Sequence, residues 1–285
     1  MFKNILIPIS SEFYSKNVLK RSVFLAEKFK STLNLLYIIE EKSFNQTDKL
    51  VNSYRTATEK EESKKELIST QVQAADNIIF KDAKELLKNK KITFEEKILE
   101  GEFTDAIKKE LEKKSYDLIL MGFEKECNLN YRLFEEVNVP VWIEGFGDSK
   151  KILAVCSNLA PNQIVPKISI DLSKKLGWDL NILYVVDTED SVIVDEKGKR
   201  SDIKSEEEIV NQGQLFVNRM EKNKIKAQFV RGSLEKQTIQ KAEEINANLV
   251  IVGREQKKKG VLGLPVRNLK KKIAEKCDYS ILFVN

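Results

Sequence analysis

Two stretches of eight residues, 147 positions apart in this sequence, are closely similar. Residues 33–40 read LNLLYIIE, and residues 180–187 read LNILYVVD. The sequence upstream agrees at the same offset, since residues 3–10 (KNILIPIS) align with residues 150–157 (KKILAVCS). A repeat of this length is too long for a solenoid unit, and it indicates a duplicated domain.

The match resumes further along the chain at a smaller offset. Residues 116–122 (YDLILMG) align with residues 247–253 (ANLVIVG), which is an offset of 131. The first copy therefore carries about 16 additional residues, which lie between Glu41 and Lys91.

The repeat divides the chain into two domains of ordinary size. The full length of 285 residues suits two domains of about 140 residues each. Residues 144–150 (EGFGDSK), with two glycines and several polar side chains, separate the copies. We therefore predict domains at 1–147 and 148–285, joined by a short linker that keeps them packed together.

Composition and termini predict a cytoplasmic protein that binds no metal and has no membrane-spanning segment. No apolar run approaches the ~18 residues of a bilayer span, and the first residues read as a strand without a signal peptide. The cysteines, Cys127, Cys156 and Cys277, are too widely spaced to indicate a disulfide framework or a zinc site. We expect Cys156, at the end of a buried strand, to be a small core residue.

The chain contains no histidine, which excludes several kinds of catalysis. Triads that use histidine, histidine proton shuttles and the common histidine metal sites are all ruled out. Ser10, Ser11 and Ser157 are interpreted as helix N-caps, because no motif places a base beside them. Trp142 and Trp178 are interpreted as packing groups. We therefore assign no catalytic residue and predict no robust enzymatic activity.

Short apolar runs alternate with longer helical patterns in both halves. Runs such as LILM and LVIV are apolar on both faces, which is typical of a parallel sheet covered by helices on each side. The alternation of strands and helices predicts an open α/β sheet in each half. Polar residues 41–66 and 187–205 occupy equivalent places after the second strand, and we interpret both as mobile surface loops with solvated helical extensions.

The order of these signals resembles the universal stress protein family in its tandem two-domain form. The similarity is strongest over Lys3–Glu40 and Lys150–Asp187, and Cys277–Val284 (CDYSILFV) resembles the closing strand of the family. The resemblance implies two tandem Rossmann-like domains, each with an open, parallel five-stranded sheet in the order 3-2-1-4-5. It also implies association through the last strands, here an intrachain pseudo-dimer with a pseudo-two-fold axis, while a homodimer stays open.

In some members of this family ATP binds at the carboxyl ends of strands one and four. An Asp after the first strand contacts the nucleotide, and a Gly-x2-Gly-x9-Gly-Ser/Thr motif wraps the phosphates. In place of that Asp, this sequence has Ser10 and Ser11 in the first half and Ser157 and Asn158 in the second. The first half also lacks the glycine motif, because Gly122 is followed by Glu124 and Glu126, so we expect no ATP there.

The second half keeps part of this motif and adds positive charge. Gly253 is retained, Gln256 takes the second glycine position, and Gly260 and Gly263 lie further on. Residues 254–272 hold eight Lys or Arg against one acid, a net +7 compared with +5 for the whole chain. The segment is either a solvated helix face or a phosphate-binding surface, and the residues alone leave both interpretations open.

The resemblance places a candidate pocket at the ends of the first and fourth strands of the second domain. Arg267 is the strongest candidate for a phosphate contact, because its planar guanidinium can engage two oxygens. Leu262 and Leu264 could alternatively fill this cleft. The candidate residues are Ser157, Asn158, Gly253, Arg254, Gly260, Gly263, Arg267 and Asn268.

These observations predict a stress-associated regulatory or binding protein with degenerate nucleotide motifs and no required cofactor. One alternative is an ATP-binding protein with slow hydrolysis, in which only the second domain uses ATP. Another is a polyanion-binding module that uses residues 254–272. Nucleic acid is not expected as a partner, because no segment interleaves aromatic and basic residues. A protein partner is expected that the sequence does not identify, and a small phosphate ligand stays open.

Overall fold

The computed structural model forms two compact units, Met1–Val139 and Pro140–Asn285. It describes residues 1–10, 15–40, 57–122, 133, 137–145, 147–197, 199–253 and 279–284. The units divide at Val139, eight residues before the end of the first predicted domain. The folding domains 1–147 and 148–285 stay a prediction.

The sheet of the first unit is parallel and runs in the order β3-β2-β1-β4. Its strands are buried on both faces, except for the more exposed β3, as their continuous apolar runs predict. Their bounds are β1 Asn4–Ile9, β2 Thr32–Ile39, β3 Phe94–Glu100 and β4 Leu118–Gly122.

Helical segments connect these strands. Helix α1 begins after Ser15, whose hydroxyl accepts a hydrogen bond from the Asn17 amide at 3.3 Å, so Ser15 is the N-cap rather than Ser10. Ser11, the other predicted N-cap, lies outside the described residues. The helical bounds are α1 Lys16–Phe29, α2 Ala57–Ala74, a π-helix Ala75–Phe80, α3 Lys81–Leu87 and α4 Phe103–Lys113.

The sheet of the second unit is mixed and has six strands, in the order β5-β10-β9-β6-β7-β8. All neighbouring pairs are parallel except β5 with β10. The strands are β5 Val141–Glu144, β6 Lys151–Ser157, β7 Asp179–Val186, β8 Ala227–Arg231, β9 Leu249–Gly253 and β10 Ser280–Val284. The helices are α5 Ile164–Leu176, α6 Glu206–Lys222 and α7 Leu234–Glu244.

The position of β5 corrects the predicted division into two five-stranded sheets. This closing strand of the first repeat lies antiparallel to β10, with Trp142 opposite Leu282. The buried Glu144 carboxylate fixes the pairing, because it accepts hydrogen bonds from Trp142 Nε1 at 2.9 Å and Ser280 Oγ at 3.0 Å. The predicted α/β class is confirmed, and the second repeat has the full predicted order 3-2-1-4-5 as β8-β7-β6-β9-β10. The first unit has the order 3-2-1-4, because its closing strand β5 lies in the second unit, where it pairs with the other closing strand, β10, as the resemblance implies.

The two repeats end their first helices with the same backbone conformation. Gly177 has φ 70°, the left-handed conformation that glycine adopts at a helix end. Lys30, the residue 147 positions earlier, has φ 55° although it carries a side chain. The repeat therefore preserves the turn at a position where the residue type differs.

The insert of the second unit is more closely packed than its composition predicts. Val192 and Val194 are buried, and Val194 forms an antiparallel bridge with Arg200. The interpretation of residues 187–205 as a mobile loop is therefore wrong for the described part of that segment. Of the corresponding segment in the first unit, residues 41–56 lie outside the described residues, and α2 begins at Ala57.

Candidate functional site

The carboxyl ends of β6 and β9 lie side by side in the second unit. The two strands pair in parallel up to Val155 and Val252, which brings Ser157 and Gly253 to the same end of the sheet. Crevices at this end of open α/β sheets are the usual ligand sites of such folds. The structure thus brings together Ser157, Asn158 and Gly253 from the predicted set.

The remaining predicted site residues lie outside the part of the chain that the structure describes. They belong to the basic segment 254–272, which falls within the undescribed residues 254–278. These residues are Arg254, Gly260, Gly263, Arg267 and Asn268, together with Leu262 and Leu264. Their role in binding stays a prediction.

Ser157 builds a turn and does not cap a helix. Its amide donates to Asn162 Oδ1 at 3.1 Å, and Asn162 Nδ2 donates back to the Ser157 carbonyl at 2.8 Å. The Ser157 hydroxyl accepts a hydrogen bond from the Leu159 amide at 3.1 Å. Since α5 begins only at Ile164, the interpretation of Ser157 as an N-cap is wrong.

Asn158 joins the first strand of the second unit to the insert. Its Nδ2 donates to three backbone carbonyls, those of Asp187 at 3.3 Å, Asp190 at 3.2 Å and Val192 at 2.8 Å. Its Oδ1 accepts the Asp187 amide at 2.7 Å, and its own carbonyl accepts the Val194 amide at 2.9 Å. The side chain is fully buried, so both ends of this amide are used inside the protein.

Asp187 extends this network to the far side of the sheet. Its Oδ2 accepts a hydrogen bond from the Leu234 amide at the start of α7, at 2.9 Å. Its Oδ1 accepts the Glu189 amide, also at 2.9 Å. A carboxylate at a helix N-terminus is favoured by the helix dipole and by the unpaired amides there. The insert is therefore tied to β6 and to α7.

The space next to Gly253 is filled by the turn that follows β6. A methyl group at Gly253 would lie 3.3 Å from Val165 Cγ2 and 3.4 Å from the Ala160 methyl group. Leu159 and Ala160 in this turn are both buried. Close packing against the chain itself thus favours a glycine here, without reference to a phosphate.

A separate cavity, which the sequence did not predict, lies on one face of the second sheet. It has a volume of about 430 Å³ and is lined by Asn162 and Gln163 just before α5, one side of α6, Tyr184 of β7 and residues 193–196 of the insert. Among the described residues, the Tyr184 hydroxyl and Gln212 Oε1 are buried without a hydrogen bond. Burial raises the pKa of Tyr184, an effect only partly opposed by the nearby Asn162 amide, so the hydroxyl stays protonated.

Gly213 brings α6 close to Tyr184. A methyl group at this position would lie 2.7 Å from the Phe229 ring and 3.0 Å from Tyr184 Cδ1. A glycine in the middle of an amphipathic helix is the sequence signal for this approach. Beneath the same face, Cys156 pairs with Tyr184 and is buried, and burial raises the pKa of its thiol, which makes it a core residue as predicted.

The described residues contain neither a candidate membrane-spanning helix nor a candidate metal-binding cluster. No helix in the described ranges is both long and apolar enough to cross a membrane. Within the same residues, no group of three or more Cys, Asp or Glu side chains could hold a metal ion.

Comparison with known protein families gives a match for the first part of the chain. Residues 1–139 match the universal stress protein family, and this range coincides with the first compact unit. The resemblance predicted from the sequence is thereby confirmed for these residues. No curated protein matches the chain.

Solved structures share the fold over nearly the whole chain. A universal stress protein from Archaeoglobus fulgidus DSM 4304 matches with a TM-score of 0.65 at 14% identity, covering 98% of this chain and 96% of that one. A candidate universal stress protein from Pseudomonas aeruginosa UCBPP-PA14 matches with a TM-score of 0.66 at 13% identity, covering 99% and 93%. At these identities the similarity establishes the fold of both units and leaves the ligand open.

Proposed function

We propose that this chain, whose residues 1–139 match the universal stress protein family, is a stress-associated regulatory or binding protein. It acts without catalysis, and its strand-end sites do not require a nucleotide. A protein partner, not a small-molecule reaction, carries its activity. The cytoplasmic location expected from the sequence stays part of this proposal.

The hydrogen bonding of Asn158 is the main observation in support. A ligand at the end of β6 would need a free polar group there, and the Asn158 amide already serves three carbonyls and one amide of the insert. An Asp at this position would place a carboxylate against three carbonyl oxygens without a proton to donate. The insert and a nucleotide-binding Asp are therefore incompatible in this arrangement.

The turn after β6 supports the same proposal. Ala160 and Val165 occupy the space next to Gly253, where a phosphate would approach the backbone in an open switch-point crevice. Binding of ATP there would require this turn to move. ATP binding with slow hydrolysis in the second domain is therefore the weaker alternative.

Isothermal titration calorimetry with ATP and magnesium tests this proposal. We expect no heat of binding, because the Asn158 side chain is fully hydrogen-bonded within the protein and the turn after β6 fills the space next to Gly253. Binding in the low micromolar range would contradict the proposal. In that case the double variant R254A/R267A would show whether the predicted phosphate contacts are responsible, with loss of binding supporting the second-domain site.

Retention on heparin separates the polyanion alternative from the proposed function. Electrostatic binding through residues 254–272 would give strong retention that falls steeply as the salt concentration rises. We expect weak retention already at low salt, as for a solvated basic face. Strong, salt-sensitive retention would favour the polyanion-binding module.

A further inference from the structure

We propose that the cavity between α5, α6 and the insert binds a small, neutral, planar aromatic ligand that carries a hydrogen-bond acceptor and an N–H donor, as in an aromatic lactam. The site lies on a helix-covered face of the second sheet, apart from the strand ends discussed above. The inference goes beyond the proposed function and does not depend on nucleotide binding.

The size and enclosure of the cavity suit a small molecule. Its volume of about 430 Å³ falls within the range of ordinary ligand pockets, roughly 300–1,000 Å³. The buried strand β7 forms the floor, and the packed hairpin around Val194 forms one wall. This wall is anchored by the hydrogen bonds that Asn158 makes to the insert.

Two polar atoms in the lining point to the chemistry of the ligand. The Tyr184 hydroxyl and Gln212 Oε1 are buried and make no hydrogen bond within the described residues. Such atoms are rare in folded proteins and cost free energy unless a ligand or water pairs with them. The protonated phenol can donate to an acceptor, while Gln212 Oε1 can accept from an N–H group.

Both atoms belong to one region of the cavity. Gln212 precedes Gly213 on α6, and a methyl group at Gly213 would lie 3.0 Å from Tyr184 Cδ1. The Phe216 ring stands beside the Tyr184 ring, with centroids 4.9 Å apart. A planar ring can pack against this aromatic pair while its polar edge meets Tyr184 and Gln212.

The charges at the rim disfavour an anion. Arg219 stands over the Phe216 ring at 5.6 Å and supplies one positive charge. Asp195 and Glu196, both exposed, supply two negative charges. A phosphate or carboxylate would meet a net negative rim, whereas a neutral ring would not. This charge balance distinguishes the cavity from the basic segment 254–272.

Ligand-observed NMR titration with 2-quinolinone, a neutral bicyclic lactam, tests the proposal on the full-length chain. We expect saturable binding that weakens about tenfold in Tyr184→Phe and in Gln212→Leu, since each variant removes one hydrogen bond. N-methyl-2-quinolinone lacks the N–H donor and should bind about as weakly to the parent protein as 2-quinolinone binds to Gln212→Leu. Tyr37→Phe, at the equivalent position of the first repeat, should leave the affinity unchanged.

Thermal unfolding of the unliganded variants provides the second readout. If the Tyr184 hydroxyl has no partner in the free protein, Tyr184→Phe should unfold at the same temperature as the parent or higher. The combination of no probe binding by the folded parent with a lowered unfolding temperature of Tyr184→Phe would indicate an ordered water only, and would overturn the proposal. Equal affinity of parent and Tyr184→Phe, no saturable binding to the parent, or displacement of the probe by ATP with magnesium, would also overturn it.

Discussion

At the scale of single residues, Asn158 decides what the end of β6 can do. Its amide gives both protons to carbonyls of the insert and accepts the Asp187 amide, while the side chain is excluded from solvent. An amide can serve donors and acceptors at once, but a carboxylate only accepts. The residue type therefore determines whether the insert is anchored or released.

Asn158→Asp should destabilise the protein by about 3 kcal/mol, because it leaves buried carbonyls facing a negative charge. Urea unfolding at neutral pH measures this loss. The deficit should shrink at low pH, where the protonated carboxyl regains a donor. Asn162→Asp is the matched control, since Asn162 is half-buried and its Nδ2 donates to one backbone carbonyl, that of Ser157, and it should cost about 1 kcal/mol. Equal losses for the two variants would contradict the role given to Asn158.

Lys30 is a second position where residue type and conformation can be separated. Lys30 has a left-handed backbone with φ 55°, which raises the energy of a residue with a side chain by about 1–2 kcal/mol. Glycine avoids this strain but loses more backbone entropy on folding, so it regains only part of that energy. Lys30→Gly should therefore stabilise the protein by about 0.5–1 kcal/mol in thermal or urea unfolding. The reverse change at the equivalent position, Gly177→Lys, should destabilise it by a similar amount. A destabilised Lys30→Gly would mean that the lysine side chain contributes more than the backbone costs.

At the scale of elements, the antiparallel pair of β5 and β10 depends on a close backbone approach. Gly145 follows β5 directly, and its amide donates to Ser280 Oγ at 3.1 Å. A methyl group at Gly145 would lie 2.4 Å from the Tyr279 carbonyl carbon and 2.7 Å from the Ser280 nitrogen. The glycine that marked a linker in the sequence is thus required for strand pairing.

Gly145→Ala should destabilise the second unit by about 3 kcal/mol, because backbone atoms must move apart to admit the methyl group. Chemical unfolding followed by circular dichroism measures the change. Gly147→Ala serves as the control, since its methyl group would lie 3.3 Å from Asn248 Cα and needs only a small shift. If both variants were equally stable, the close approach at Gly145 would not limit the pairing.

At the scale of the whole molecule, the repeats in sequence and the compact units in space do not coincide. The closing strand of the first repeat contributes to the sheet of the second unit. A fragment that starts after β5 therefore lacks one strand of that sheet, and it leaves the backbone groups of β10 without their antiparallel partner. Unpaired strand edges of this kind promote association between molecules.

Two fragments test whether loss of β5 makes the second unit associate. Residues 140–285 retain β5, which pairs with β10, and should associate less than residues 148–285 in size-exclusion chromatography with light scattering. Residues 148–285 lack β5 and should dimerise or aggregate, because Ile281, Leu282 and Phe283 lose their partners on that side. A monomeric, equally stable 148–285 fragment would support the domain boundary predicted from the repeat.

Apart from the strand order, which the family resemblance implied, the sequence alone determined the duplication, the α/β class and most helix positions. These follow from local patterns: the repeated LNLLYIIE and LNILYVVD, the apolar runs of buried strands and glycine at the end of α5. Such features depend on side-chain periodicity and backbone preference within short segments, so they can be read without knowing the tertiary contacts.

The antiparallel register of β5 on β10, the role of Asn158 and the cavity beside Tyr184 were decided only by the tertiary structure. A four-residue apolar strand such as Val141–Glu144 can pair with any exposed strand, and the Glu144–Ser280 hydrogen bond that selects β10 joins residues far apart in sequence. An asparagine such as Asn158 can either bind a ligand or anchor a neighbouring segment. Only its hydrogen bonds to three carbonyls of the folded insert show that it acts as an anchor. Hydrogen-bond partners and cavities depend on how distant segments meet, which local sequence patterns do not record.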